Sequence, residues 1–482
     1  MLEVIPLLAA QLALLGAVII LREPKLLLPA VVLGLPFEIV ETRLFDAVAA
    51  GRIPSAARSL FNPGQAAMIA TILVVAFRFR HQPARLFPNS ALLVPLGLLL
   101  ALYFLGVLWS GSLVPDQSVA VLVLYGAFVL AAPALIESRR DLEWIIGAFL
   151  AVAILLSAVA IAQRALDIFT WRSVLAEGGA YRANATYHDP NNLARFLALV
   201  IPLAAGLILV TGPRRLTVYL AAPAAVLGGM AIVASTSRAG WMMLLLSTFI
   251  VLWLAPVPRY TRVKLTAVAG VALVLMVALV LASGGTDAAR IRELATGLSA
   301  IGRREYLIRA GWQMFTDNPL MGVGAGHFQD ALVSSYIHIL PEWARGTTLS
   351  HTSIVTVMAE LGLLGLAMLG FVCVRLALTL RSLFRRVPGR FNRLMVGWLA
   401  ASFIGIFFHS QSEGRLLEEP FLWVLIAITI ALETGPAFAA QPLPVAPAPP
   451  PDVVSVPGRT GRAPSSPIPA PGSPGHAATR EA

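Results

Sequence analysis

The stretch TTLSHTSIVTVMAELGLLGLAMLG, residues 347–370, is typical of a helix that enters a membrane. From Ser353 onward the residues are almost all apolar, and this character continues to about residue 376. A run of about 20 apolar residues is long enough to cross the hydrocarbon core of a bilayer. The stretch therefore predicts a transmembrane helix that follows one histidine, His351, and contains one carboxylate, Glu360.

The whole chain shares this composition. Hydrophobic residues make up 58% of the 482 residues and charged residues only 13%, with a mean hydropathy of +0.80. Soluble proteins carry about a quarter charged residues. The sequence therefore predicts an all-α polytopic membrane protein with about 12–13 transmembrane helices. The predicted spans are about 4–21, 26–41, 65–77, 91–110, 118–136, 144–163, 193–211, 216–234, 240–256, 264–282, 353–376, 393–409 and 418–434.

Basic residues occupy alternate connections between these spans, and the positive-inside rule places those connections in the cytoplasm. The rule places segment 283–352 outside, as one long, partly helical loop within a membrane domain over 1–434. The connection 42–64 fits this orientation poorly, because it carries three arginines on the predicted outer side. Residues 435–482 are rich in Pro and Ala and are predicted to form a disordered cytoplasmic tail.

Several classes of site have no support in the sequence. Most of the basic residues behind the net charge of +11 lie in the predicted cytoplasmic connections, so the charge does not indicate a nucleic-acid partner. The single cysteine, Cys373, excludes a disulfide within the chain and a cysteine-based metal site. The external loop contains His327, His338 and His351 without a zinc-ligand spacing, and no Walker motif or nucleophile elbow is present. We therefore predict no metal and no cofactor.

The first polar patch on the predicted outer side is YRANATYHDPNNLARF, residues 181–196. Asp189 and Asn191 flank a proline, a pattern typical of a turn that starts a helix. Capping of that helix would account for both residues, but it explains the charged Arg182 less well.

The second patch is ASTSRAGWMM, residues 234–243, where two spans meet with almost no loop. Arg238 is held between apolar runs, beside the Ser237 hydroxyl and at a helix N-terminus, an arrangement that suits a phosphate group. Snorkelling of the arginine to the interface is the alternative interpretation.

The third patch is IGRREYLIRAGWQMFTDNPLMGVGAGHF, residues 301–328. Arg304, Ile308, Gly311 and Phe315 share one face at helical spacing, which predicts an amphipathic helix on the outer leaflet. GVGAG follows no strand, so it is not a dinucleotide fingerprint. We interpret it as a tight turn that returns the loop to the membrane.

His351 and Glu360 form the fourth patch, but they are not expected to be partners. Nine residues on a helix turn the chain by about 900° and advance it by about 13 Å, so the two side chains face opposite ways. Glu360 aligns instead with Thr352 and Thr356. An ordinary interfacial histidine is the alternative interpretation of His351.

Together the patches indicate an external site with several arginines and one imidazole. Arginines suit a diphosphate that leaves with negative charge. A neutral histidine suits the removal of a proton from a hydroxyl group, because its pKa lies near working pH. Transfer of a sugar from a lipid diphosphate to an acceptor hydroxyl needs both groups.

At these residues the chain resembles the O-antigen ligase/O-antigen polymerase superfamily. These bacterial membrane glycosyltransferases use undecaprenyl-diphosphate-linked glycans without a metal. The resemblance covers about residues 182–370, and the N-terminal spans match only in character. Four ordered segments carry it: RANATYHDPNNLA, STSRAG, GRREYLIRAGWQMFTDNPLMGVGAGHF and SHTSIVTVMAELGLLGLAML.

The resemblance implies a role for each site residue. Arg238 and Arg304 would bind the diphosphate of the lipid carrier, and His351 would act as the general base in an inverting displacement. Arg182 and Asn191 would shape the mouth of the site. The remaining residues expected around it are Ser237, Arg303 and Glu360.

Some positions depart from the family pattern. Thr352 replaces the usual asparagine after the histidine, and Asn184-Ala185 replaces a small residue followed by glycine. Both positions concern the acceptor side of the site and leave the resemblance to the class unchanged. Arg303 adjoins Arg304, and the spacing to the NPL triplet favours Arg304 as the phosphate ligand.

The sequence thus predicts a metal-independent glycosyltransferase in the bacterial cytoplasmic membrane, with its site on the outer side. Its expected partners are an undecaprenyl-diphosphate-linked glycan donor, a glycan or lipid-anchor acceptor, and membrane lipid. An O-antigen ligase and a polysaccharide polymerase, in lipopolysaccharide or exopolysaccharide synthesis, both remain open. Two alternatives are a peptidoglycan polymerase of the shape and division type and a transporter or transport-associated protein, for example in inorganic carbon uptake.

Overall fold

A computed structural model gives the fold of most of the chain. All described residues belong to a unit of residues 1–440, and of the predicted tail, residues 435–482, only residues 435 and 438 are described. The structure describes residues 16, 23–39, 62–109, 117–170, 174–175, 181–212, 214, 217–264, 267, 270, 301–342, 345, 350, 352–414, 416–435 and 438.

The described part of the chain is built from helices. In the N-terminal half these are α1 (Leu27–Gly34), α2 (Pro63–Arg78), α3 (Pro83–Leu86), α4 (Leu93–Trp109), α5 (Gln117–Ala131), α6 (Arg139–Leu166), α7 (Pro190–Thr211) and α8 (Ala222–Ala234). In the C-terminal half they are α9 (Arg238–Leu254), α10 (Ile301–Asp317), α11 (Phe328–Ala331), α12 (Ser353–Arg386), α13 (Arg390–Glu413) and α14 (Pro420–Thr434).

Shorter elements complete the described fold. Two strands, β1 (Val174–Leu175) and β2 (Tyr181–Arg182), pair in antiparallel fashion, with Val174 opposite Arg182. The 3-10 turns are Pro24–Leu26, Ala132–Leu135 and Ile337–Ile339, and the π turns are Thr217–Ala221 and Leu332–Tyr336.

The prediction of an all-α polytopic membrane protein is confirmed. Among the described residues, α6, α7, α12 and α13 are long and apolar enough to cross a membrane. Seven shorter apolar helices accompany them, among them α2, α4, α9 and α14. The predicted spans 4–21 and 264–282 fall almost entirely outside the described residues, and segment 283–300 of the external loop falls entirely outside them.

The predicted span 26–41 is not a continuous membrane-crossing helix. α1 has eight residues, which rise by only about 12 Å. Pro36 disfavours a helix through the preceding residue, and α1 ends at Gly34. A Cβ on Gly34 would lie 2.5 Å from the amide nitrogen of Gly64, so this end of α1 packs directly on the start of α2.

An aromatic cluster joins four helices in the core. Phe149 of α6 stacks against Phe196 of α7 with ring centroids 6.2 Å apart, and its edge meets Trp398 of α13 at 5.6 Å. Phe421 of α14 lies 5.0 Å from Phe196. Aromatic contacts of this kind add to the burial of large apolar side chains. The cluster holds α7, α13 and α14 together, and these helices carry several polar groups at their ends.

α12 is broken at Gly362, whose φ of 61° and ψ of −151° are not helical. Residues 318–327, here called the glycine loop, supply the missing backbone partners. Leu363 and Leu364 donate their N–H groups to the carbonyls of Pro319 and Leu320, at 2.8 and 3.2 Å. The carbonyls of Ala359 and Glu360 accept from the glycine loop in turn, each at 2.9 Å.

The glycine loop is therefore not only the tight turn that its sequence predicts, because it packs along a broken helix. The backbone on both sides of Gly362 thus depends on the glycine loop for its hydrogen bonds.

Candidate functional site

Arg182 brings the first two polar patches together. Its Nε donates to the Ser235 carbonyl at 3.1 Å and to the Thr236 hydroxyl at 3.0 Å. Its Nη2 donates to the Asn191 side-chain oxygen at 2.9 Å. The guanidinium thus links the start of α7 to the α8–α9 turn, and helix capping alone does not account for it.

The chain around Arg182 is held by buried polar contacts. The Gln163 side-chain oxygen accepts the N–H groups of Asn184 and Ala185, at 3.1 and 2.8 Å. Ala185 has a φ of 49°, a left-handed conformation that disfavours residues with a Cβ. This conformation explains why glycine suits the position in the motif, and the Gln163 contacts hold the alanine there.

Asn191 bridges Arg182 and a carboxylate that the sequence did not single out. Its Nδ2 donates to Glu413 Oε1 at 2.8 Å, while its oxygen receives the Arg182 bond. Asp189 caps α7, accepting the Asn191 N–H at 2.7 Å, as one interpretation of the motif predicted. Asn191 therefore has a cross-helix role, and Asp189 supports it locally.

Arg304 reaches the same place from α10. Its Nη2 donates to the Ser412 carbonyl at 3.1 Å, one residue before Glu413. The last carbonyls of a helix lack intrahelical partners and carry partial negative charge, so they attract guanidinium groups. The Glu413 carboxylate also interacts electrostatically with Arg304 and Arg182. Arginines from two distant parts of the chain thus lie near the C-terminal end of α13.

Arg238 is the first residue of α9, and it is half-buried. No described residue forms a hydrogen bond or an ion pair with its guanidinium. It follows Thr236, the anchor of Arg182, by two residues. The Ser237 hydroxyl accepts the Gly240 N–H at 3.2 Å, so Ser237 caps α9 and fixes the helix end that carries Arg238.

His351 and the Arg303 side chain lie outside the described residues. The residues after His351 are fixed on the same end of α13. The Thr352 hydroxyl donates to the Gln411 carbonyl at 3.3 Å, and the Ser353 hydroxyl donates to the Ser410 carbonyl at 3.0 Å. The start of α12 is therefore tied to the helix end that Arg304 contacts.

Glu360 contacts the backbone that leads from the glycine loop into α11. It is buried, and its two carboxylate oxygens accept the N–H groups of Gly326 and Phe328, at 3.0 and 3.2 Å. Both bonds hold the glycine loop against α12. The described contacts of Glu360 thus give it a structural role.

The helical face of α10 that packs is displaced from the predicted one. Leu307, Ala310 and Met314 are fully buried, whereas Ile308 is 41% exposed. Gly311 lies against Val355 of α12, which a Cβ would approach to 2.4 Å. The helix remains amphipathic, but its packed side follows the residues that meet α12.

Among the described residues, no group of three His, Cys, Asp or Glu side chains could hold a metal ion. The described polar groups consist of cationic arginines, a carboxylate, amides and hydroxyls. Such a set can bind an anion and orient it.

Residues 223–370 match a family model described as O-antigen ligase. No curated protein matches the chain. The matched segment contains Arg238, Arg304 and His351, while Arg182 and Glu413 flank it in sequence. The match supports a membrane glycosyltransferase of the O-antigen ligase/polymerase type. Over this segment, which is about a third of the chain, the protein is similar to the O-antigen ligase family.

Proposed function

We propose that the protein transfers a glycan from an undecaprenyl-diphosphate carrier to an acceptor hydroxyl on the outer side of the bacterial cytoplasmic membrane. The observation that carries the proposal is the convergence of Arg182 and Arg304 on the end of α13. Arg304 belongs to the O-antigen ligase segment, and Arg182 is bonded to the turn that precedes Arg238.

Arg238 and Arg304 bind the diphosphate in this proposal. The bond between the anomeric carbon and the diphosphate oxygen breaks during transfer, and the electron pair leaves with the diphosphate. Guanidinium groups held in place beforehand stabilise the charge that develops. Arg182 and Asn191 link the α8–α9 turn to the end of α13, so they act as positioning residues.

His351 takes the proton of the acceptor hydroxyl. The acceptor oxygen then forms the new bond to the anomeric carbon on the side opposite the departing diphosphate, which inverts the configuration. The positive charge at the leaving group comes from arginines, so the step as proposed uses no metal. A lipid-anchor acceptor makes the protein a ligase, and a second glycan makes it a polymerase.

Complementation of a deletion strain tests this assignment. We expect His351→Ala and Arg304→Ala to lower the yield of transferred surface glycan by about 10²-fold or more, the usual effect of removing one charge-stabilising group. Arg309→Ala on the same helix is the matched control, because Arg309 forms an exposed pair with Glu305 within α10. Mass analysis of surface glycans is the measurement.

The same experiment separates the two acceptors. Full-length polymer left on the carrier indicates a ligase, and accumulated single repeat units indicate a polymerase. Complete restoration of long glycans by both His351→Ala and Arg304→Ala, at equal protein levels, would contradict the assignment.

Cysteine labelling tests the proposed orientation. In a Cys373→Ala background, Gln329→Cys in the outer loop should react with an impermeant maleimide added to intact cells. Gln82→Cys in a basic connection should react only after lysis, because the positive-inside rule places it in the cytoplasm. Both native glutamines are exposed, so accessibility is matched. Labelling of Gln82→Cys alone in intact cells would reverse the orientation.

A further inference from the structure

A cavity is lined by the glycine loop and by Asp317, at the end of α10 away from Arg304. Its volume is about 780 Å³, within the size range of small-molecule sites. Asp317, His327, Asp330 and Ser334 line it on the polar side. Asp317 follows Arg304 by thirteen residues on α10, so the two are about 20 Å apart along the helix.

The charge of this cavity differs from that of the arginine site. Among the described residues that line it, none is Lys or Arg, and two are aspartates, Asp317 and Asp330. Carboxylates repel a phosphate and attract hydrogen-bond donors. The cavity is therefore unsuited to a second diphosphate and suited to a ligand rich in hydroxyl groups.

The polar groups of the cavity are arranged mainly as acceptors. His327 Nδ1 lies 2.8 Å from the Ala325 carbonyl, which can only accept, so the neutral ring carries its proton on Nδ1 and leaves Nε2 as an acceptor. Asp330 is exposed, and no described residue bonds its carboxylate. These acceptors are available to donor groups of a ligand.

Tyr336 and Asp317 form a fixed pair at the edge of the cavity. The Tyr336 hydroxyl donates to Asp317 Oδ2 at 2.8 Å. Burial and this bond raise the pKa of Tyr336 to about 12, so the phenol stays protonated and Asp317 is held in one orientation. The other Asp317 oxygen accepts from Gln313 at 2.9 Å.

Apolar groups complete the lining. Leu320 and Met321 of the glycine loop are 63% and 44% exposed, and Trp109 closes the cavity at the end of α4. Sugar rings present hydroxyl groups at their edges and C–H groups on their faces. A cavity with acceptors on one side and apolar side chains on the other matches both surfaces.

We propose that this cavity is a glycan subsite, which binds a neutral, hydroxyl-rich stretch of the substrate chain away from the bond that reacts. The proposal rests on the proposed function, because a glycan transferase supplies such a ligand. Asp330 and His327 Nε2 accept sugar hydroxyl protons, and Leu320 and Trp109 contact the ring faces. Binding remote from the reacting carbon selects among chains.

Binding of free oligosaccharide tests the subsite directly. The probe is the oligosaccharide mixture released by mild acid from the surface polysaccharide of the host, added to full-length protein in nanodiscs. Saturation-transfer NMR and calorimetry should detect binding. We expect the Asp330→Ala/Ser334→Ala double variant to bind at least about tenfold more weakly, because the hydrogen bonds to the Asp330 carboxylate are lost. Gln329→Ala, an exposed neighbour, should bind normally.

Arg304→Ala separates this proposal from the proposed function. It should lose transfer yet keep probe binding, since it lies outside the cavity. Equal melting temperatures of all variants establish that they are folded. The subsite proposal is overturned if wild type binds no probe at millimolar concentration, or if the double variant binds it undiminished. Probe binding with full transfer by Arg304→Ala would overturn the proposed function alone.

Discussion

Replacing Glu419 by alanine is expected to destabilise the protein by about 3–5 kcal/mol, the usual cost of leaving one charge of a buried pair without its partner. Glu419 forms an ion pair with Arg195 of α7, and the side chains are only 3% and 7% exposed. That loss is a large part of the roughly 5–15 kcal/mol by which proteins are stable. Size-exclusion chromatography after stepwise heating in detergent should show a clear fall in melting temperature.

Two controls isolate the charge effect. The double variant Arg195→Leu/Glu419→Leu removes both charges and should recover much of the lost stability, because two apolar residues need no partner. Glu305→Ala removes one member of an exposed pair on α10 and should change the melting temperature little. If Glu419→Ala melted at the wild-type temperature, the stabilising role of the buried Arg195–Glu419 pair would be contradicted.

Alanine at Gly362 is expected to break the pairing between α12 and the glycine loop. Its Cβ would lie 2.5 Å from the carbonyl carbon of Leu320, and the φ of +61° is unfavourable for any side chain. A left-handed conformation costs about 1–2 kcal/mol, and overpacking costs about 1–3 kcal/mol more. Gly322→Ala should act similarly, since its Cβ would lie 2.3 Å from the carbonyl carbon of Glu360.

Limited proteolysis around the glycine loop measures this effect. Cleavage near the glycine loop should become faster in Gly362→Ala and Gly322→Ala, with a parallel loss of glycan transfer. Gly370→Ala is the matched control in the same helix, because nothing lies within 4 Å of its Cβ. Unchanged cleavage in both loop variants would show that the close approach is not required.

Hydropathy predicted most of the described helices, because an apolar run of bilayer length is rarely found outside transmembrane helices. Span 193–211 corresponds to Pro190–Thr211, and span 240–256 corresponds to Arg238–Leu254. The break at Gly362 could not be predicted in this way. It lies inside a continuous apolar run, and the backbone that completes it comes from residues about 40 positions earlier.

The sequence placed Arg182, Asn191 and Arg304 on the predicted outer side, but it could not show where they meet. Their meeting point is the end of α13, and Asn191 and Glu413 are separated by 222 positions. The one signal in the sequence was Glu413, a carboxylate that follows the predicted span 393–409 and could have been considered a partner for these arginines. Contacts of this kind depend on helix packing, which the spacing of residues along one helix does not reveal.

The break at Gly362 has a consequence for the order of biogenesis. In a bilayer, backbone N–H and C=O groups without partners cost several kcal/mol each, and α12 completes its own only with help from the glycine loop. The loop precedes α12 in the chain, so it is synthesised before the helix that it completes. Folding of the glycine loop and completion of α12 are therefore coupled, because a misplaced loop leaves α12 without these four backbone hydrogen bonds.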